Sequence, residues 1–195
     1  MQVVLDAIKE GSITAYEATS DEFLIPFSYD QIMKSLTRID TMQQMRSEPP
    51  YDYYDTTVVT EFDPTAVKQI RVKEDWFFDK QRSVLDVRIV GMCPITEKYD
   101  PVSGEFQGFV PLFWIYFPEA REVFAASEVF NRFNDAARLT YDDVFFKRMF
   151  SSYIYKEANV YDRGIKEYAI DMDALLESER IKNDIFLLEH DLWEY

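Results

Sequence analysis

Between residues 84 and 95 apolar and polar positions alternate. Leu85, Val87, Ile89, Cys93 and Ile95 are interleaved with Asp86, Arg88, Met92 and Pro94, the period of a strand with one apolar and one mixed face. Ile70 to Phe78 reads as a second strand, and Asp100, Pro101, Ser103 and Gly104 supply turn chemistry before a return strand over residues 108–117, so a hairpin is expected. That return strand is apolar on both faces, which places it centrally or beneath helices.

Helical spacing appears on either side of this β-rich stretch. Residues 1–27 are mixed, and the first clear signal is SYDQ at 28–31, a capping box with Gln31 in the reciprocal position. Ile32, Leu36 and Ile39, continued by Met42 and Met45, predict a helix over about 29–45. Adjacent prolines in SEPPYDYY, residues 47–54, break the pattern and make 47–57 the candidate hinge. Pro118 suits the first turn of another helix, carried on by Ala120, Val123 and Phe124. Thr140 with Asp143 resembles a cap opening an aromatic helix through Val144, Phe145, Met149, Phe150 and Tyr153. Ile181, Ile185, Leu188 and Leu192 form a stripe by which a C-terminal helix should dock. The expected fold is α+β: a small, mainly antiparallel sheet packed by N-terminal and C-terminal helices, in one domain of 195 residues.

Charge and composition narrow the function. With 36 acidic against 21 basic side chains the formal charge is −15, which repels phosphate backbones and anionic lipid, so no nucleic-acid partner is expected. No apolar run approaches the roughly 20 residues of a membrane span, so no direct membrane insertion is expected. The 16 Phe, 13 Tyr and 3 Trp are expected mostly in the core, with some left for a partner. Cys93 is the only cysteine; it excludes an intramolecular disulfide and a cysteine metal site, and should pack as a small hydrophobe.

The candidate chemistry is sparse. His190 is the sole histidine and sits near a predicted helix C-terminus, a position that favours positive charge. Ser151 and Ser152 lack the nucleophile-elbow sequence that would pair them with it. Asp142 with Asp143, Asp171 with Asp173, and Glu177 with Glu179 are the acidic pairs a glycosidase-type hydrolase would need, but so acidic a chain contains such pairs in any case. The five glycines form no phosphate-binding loop. Arg71, Lys73, Lys80, Arg82 and Arg88 are the one basic concentration, readable as a patch for an acidic neighbour or as protection of a strand edge. No catalytic, cofactor-binding or metal-binding residue is assigned, no cofactor is expected, and the partner interface is not located.

Four runs carry a resemblance: EDWFFDKQRSVLDVRIVG at 74–91, PLFWIYFPEAR at 111–121, FNDAARLTYDDVFFKRMFSSYIYKEANVYDRGI at 133–165 and ALLESERIKNDIFLLEHDLWEY at 174–195, with a weaker match through IKEGSITAYEATSDEF at 8–23. In order and spacing they resemble GldN, called PorN in some species, of the type IX secretion and gliding apparatus of the Bacteroidetes. The resemblance implies a non-catalytic periplasmic subunit held at the inner face of the outer membrane by the lipoprotein GldK or PorK. It further implies a ring built with that lipoprotein and with other copies of itself, in contact with the periplasmic region of GldM or PorM. Family members carry a signal peptide and a tryptophan-rich N-terminal segment; QVVLDAIK after Met1 shows neither a basic nor a long apolar leader region, so the chain is read as truncated or processed. The alternatives are an acidic-pair hydrolase and a monomeric adaptor of the same lipoprotein.

Overall fold

A computed structural model describes residues 1–45, 53–60, 62–100, 103–131 and 137–191. The chain forms two compact units. The first takes in Met1–Asp75 and Ile89–Asp142, the second Trp76–Arg88 and Asp143–Tyr195.

Within the stretch expected to be mixed, the first unit opens with helix α1 (Gln2–Glu10), which buries Val4, Leu5, Ala7 and Ile8 and stops at Gly11. Gly11 has φ 79°, a left-handed conformation that glycine adopts without steric cost. After the short strand β1 (Ala15–Tyr16), helix α2 (Tyr29–Leu36) begins at Ser28, whose backbone and side chain exchange both bonds of the expected capping box with Gln31.

Beyond Leu36 the expectation fails. The chain enters strand β2 (Arg38–Met45), paired antiparallel with β3 (Tyr53–Thr60) from Arg38 opposite Thr60 to Met45 opposite Tyr53. Ile39 and Met42 suit a helical face in isolation, but a Thr- and Val-rich partner strand a few residues on offers a full backbone ladder, and tertiary pairing overrides local spacing. Of the proposed hinge, residues 47–52 lie outside the described residues and Tyr53 to Thr57 are strand.

The main sheet has five strands: β1, β4 (Val67–Asp79), β5 (Val84–Tyr99), β6 (Phe106–Pro111) and β7 (Trp114–Tyr116). Along the sheet they run β1, β7, β5, β4, with β6 also on β5. β6 and β7 are the predicted return strand broken in two, since the register on β5 slips by one residue across Leu112 and Phe113. β7 lies between β1 and β5, the central place its two apolar faces call for. β5, expected to have one buried face, is buried on both from Gly91 to Ile95.

Phe23 explains part of that cover. Its ring makes edge contacts with Tyr16, Trp114 and Tyr116, and a Cβ on Gly91 would sit 2.7 Å from its Cε1 and closer still to its Cζ. Lys73 pins the same loop: its ammonium donates to the Asp21 carbonyl at 2.7 Å and lies 5.7 Å over the Phe23 ring. Helix α3 (Phe117–Ala126), with Pro118 in its first turn as expected, adds buried Phe117, Ala120 and Phe124. Two strand pieces, β8 (Glu128–Val129) and β9 (Leu139–Thr140), close the unit. The α+β expectation holds.

The second unit is less regular than predicted. Helix α4 (Tyr141–Phe146) starts near the expected cap but ends at Phe146, and Arg148, at φ 52°, turns the chain away from helix before Met149 and Phe150. The stretch that follows carries no regular element until a short helical turn at Ile165–Glu167. Helix α5 (Met172–Asp191) comes last.

Candidate interaction surface

The second unit has little core. Among the described residues its only buried apolar side chains are Ile165 and Ile181, while the first unit buries α1, the centre of β5, β7 and α3. The aromatic expectation is correspondingly reversed. Phe113, Trp114, Phe117 and Phe124 are buried, but Trp76, Phe78, Phe146, Tyr153, Tyr161 and Phe186 are among many rings left exposed. Apolar surface concentrated in this way marks contact sites rather than ordinary scatter.

What regularity the second unit has comes from polar side chains. Asn159 braces the loop before Gly164: its Nδ2 donates to the carbonyls of Glu157 (2.9 Å) and Arg163 (2.7 Å), and its Oδ1 accepts from the N–H groups of Tyr161 (3.1 Å) and Arg163 (3.0 Å). Lys156 meets Asp162 at 2.6 Å, and the Ile165 N–H reaches the Tyr155 carbonyl at 2.9 Å. The loop thus holds Val160 out at 97% exposure. Beside it the Arg163 guanidinium lies 4.6 Å from the Tyr161 ring centre and 5.9 Å from that of Tyr168, a stacked cation that fixes both rings. Tyr and Arg are the residue types that dominate binding energy at interfaces.

Helix α5 is anchored on one side. Ser178, the one buried polar residue among those described, accepts the Ile154 N–H at 3.0 Å, and Ile181 is buried beside it. Of the predicted docking stripe, Ile181 is buried, Ile185 half-buried and Leu188 exposed; Leu192 lies outside the described residues. Between α5 and the preceding turn an open hollow of about 610 Å³ is lined by Tyr153, Ile154, Ile170, Met172 and Leu175 together with Lys166 and Asp171.

Of the residues singled out for chemistry, Asp142, Asp143, Glu177 and Glu179 are drawn into ion pairs. Asp142, in the first unit, takes both nitrogens of a fork from Arg121 (3.0 and 3.1 Å), whereas Asp143, in the second, meets Lys147 at 2.9 Å. Glu177 is held below the usual carboxylate range by Arg180, which also bonds Asp184 at 2.6 Å. Glu179 lies 3.7 Å from Lys182, and Asp171 and Asp173 are exposed. The Tyr168 phenol is pushed up by desolvation and by the charges of Glu177 and Glu157. Ser151 and Ser152 are exposed, and the His190 ring rests near Phe186 on α5. Among the described residues no three His, Cys, Asp or Glu side chains gather to hold a metal.

The basic concentration is dispersed. Lys73 is paired with Asp21, Arg82 with Asp79 and Asp86, and Arg88 lies over the Phe77 ring. Cys93 is fully buried, and burial pushes its thiol up to about 11. The composition did hint at the loop and the α5 surface through its excess of aromatic residues, but spacing alone could not tell a core ring from an exposed one.

Among the described residues no helix is long and apolar enough to cross a membrane. Of known protein families, the one described as gliding motility associated protein GldN matches residues 1–194. No curated protein matches the chain.

Proposed function

The chain belongs to the GldN family of gliding-motility-associated proteins, and on that premise we propose that it is a non-catalytic structural subunit of the type IX secretion and gliding machinery. It works in the periplasm. There it assembles with the outer-membrane lipoprotein GldK or PorK, and with further copies of itself, into a ring that meets the periplasmic region of GldM or PorM. A ring requires head-to-tail contacts whose rotation returns on itself.

The observation that carries this reading is the family match over nearly the whole chain. The second unit supports it: so few buried apolar residues beside so much exposed apolar surface suit a part completed by neighbours. Purified chain mixed with its lipoprotein should give particles many times the mass of a one-to-one complex, ring-shaped by electron microscopy. A mixture that stays at one-to-one mass would replace the ring with a monomeric adaptor.

A further inference from the structure

The second unit carries a projection and a hollow that fit each other. The projection is the loop from Glu157 to Arg163. Asn159 donates to the carbonyls at both ends of it and accepts from the Tyr161 and Arg163 N–H groups, and Lys156 holds Asp162, so the tip is fixed before any partner arrives. At that tip Val160 is 97% and Tyr161 74% exposed. An apolar anchor held in place by its own loop loses little conformational entropy on binding.

The hollow has the opposite form. Its walls are apolar and open, for Ile170, Met172 and Leu175 each line it while more than half exposed. At about 610 Å³ it falls within the range of roughly 300–1,000 Å³ typical of sites that bury a ligand, and it has room for a valine and a tyrosine side chain together. Charge follows the same division. Glu157 and Arg163 bracket the base of the loop, while Lys166 and Asp171 line the hollow. Among the described residues none of these four side chains makes an ion pair. Each surface therefore offers one anion and one cation beside an apolar centre.

We propose that the Val160–Tyr161 tip of one copy seats in the hollow of a second copy, with Arg163 facing Asp171 and Glu157 facing Lys166. The proposal rests on the reading that copies of this chain assemble, and it names their contact. A tip and a hollow on one chain make a heterologous contact, each copy giving its tip to one neighbour and its hollow to the other. The two local charge pairs offset the repulsion between chains of formal charge −15.

Cross-linking between full chains tests it. Val160→Cys in one preparation and Leu175→Cys in a second, isotope-labelled one are mixed and treated with a short bismaleimide, and the heterodimer is read by mass. It should be at least about tenfold more abundant than with Gln2→Cys, an exposed site on α1, in place of Leu175→Cys. Cys93 is buried and stays silent. Adding Glu157→Lys to the first chain, or Lys166→Glu to the second, should lower the yield several-fold, and the two together should restore it. Both side chains are exposed, so the melting curves should not move. A yield no higher than the control, or one indifferent to the charge exchange, would overturn the proposal. So would a Leu175→Cys chain that, offered both the tip chain and the lipoprotein, cross-links to the lipoprotein alone, because the hollow would then belong to that protein. Ring formation is scored separately. Rings that persist with Val160→Asp would remove this contact and leave the ring, whereas a cross-link without rings would remove the ring and leave this contact.

Discussion

Gly91 is the position where one added carbon should matter most. Its missing side chain is the space that the Phe23 ring occupies, and that ring is fixed by Tyr16, Trp114 and Tyr116 and by the Lys73 ammonium. Gly91→Ala should therefore cost about 1–3 kcal/mol, the range for overfilling a packed site, measurable as a lower urea midpoint. Phe23→Ala should be destabilising alone yet should largely cancel the penalty of Gly91→Ala in the double variant. Cys93 makes a second residue-scale case. Its thiol, raised by burial from 9.0 to about 11, stays protonated in the folded chain at a pH where the unfolded chain has already ionised. Its contribution to stability is thus intact below about pH 9 and declines as the pH climbs towards 11, by up to about 3 kcal/mol. Urea titrations across that range should show a steeper decline for wild type than for Cys93→Ala, and alkylation of Cys93 should require unfolding.

At the scale of elements, legibility followed the range of the interactions involved. The capping box at Ser28 was readable because its two partners are three residues apart, and both bonds are present, at 2.9 and 3.4 Å. Ser28→Ala should accordingly cost about 1 kcal/mol, seen in thermal unfolding. The hairpin of β5 with β6 and the helix start at Pro118 were readable for the same local reason. The end of α2 was not, because what stops it at Leu36 is a ladder to Tyr53–Thr60, a long-range pairing that periodicity does not encode. Helix α1 is legible locally as well, since Val4, Leu5 and Ile8 fall at helical spacing and Gly11 marks the stop. The aromatic run through Met149 and Phe150 satisfied helical spacing, but exposed rings follow that spacing as readily as buried ones.

For the molecule as a whole, the uneven distribution of buried apolar side chains makes the two units unequal. Trp114 reports on the first and Trp76 on the second. In urea, fluorescence of Trp76→Phe should follow a later transition than that of Trp114→Phe, each with Trp193 as common background, so the curves should not coincide as they would for a two-state chain. The exposed apolar surface was visible in the sequence only as an aromatic excess; which rings reach solvent depends on how little the second unit folds around itself. The exposed apolar side chains of α5, Leu175, Leu176, Phe186 and Leu187, then separate two kinds of mutational tolerance. Substitutions there should leave the melting curve of the isolated protein flat yet slow the spreading of a bacterial colony, while changes at Ile181 should register in both. A map of cellular fitness laid over a map of thermal tolerance should diverge at those four positions.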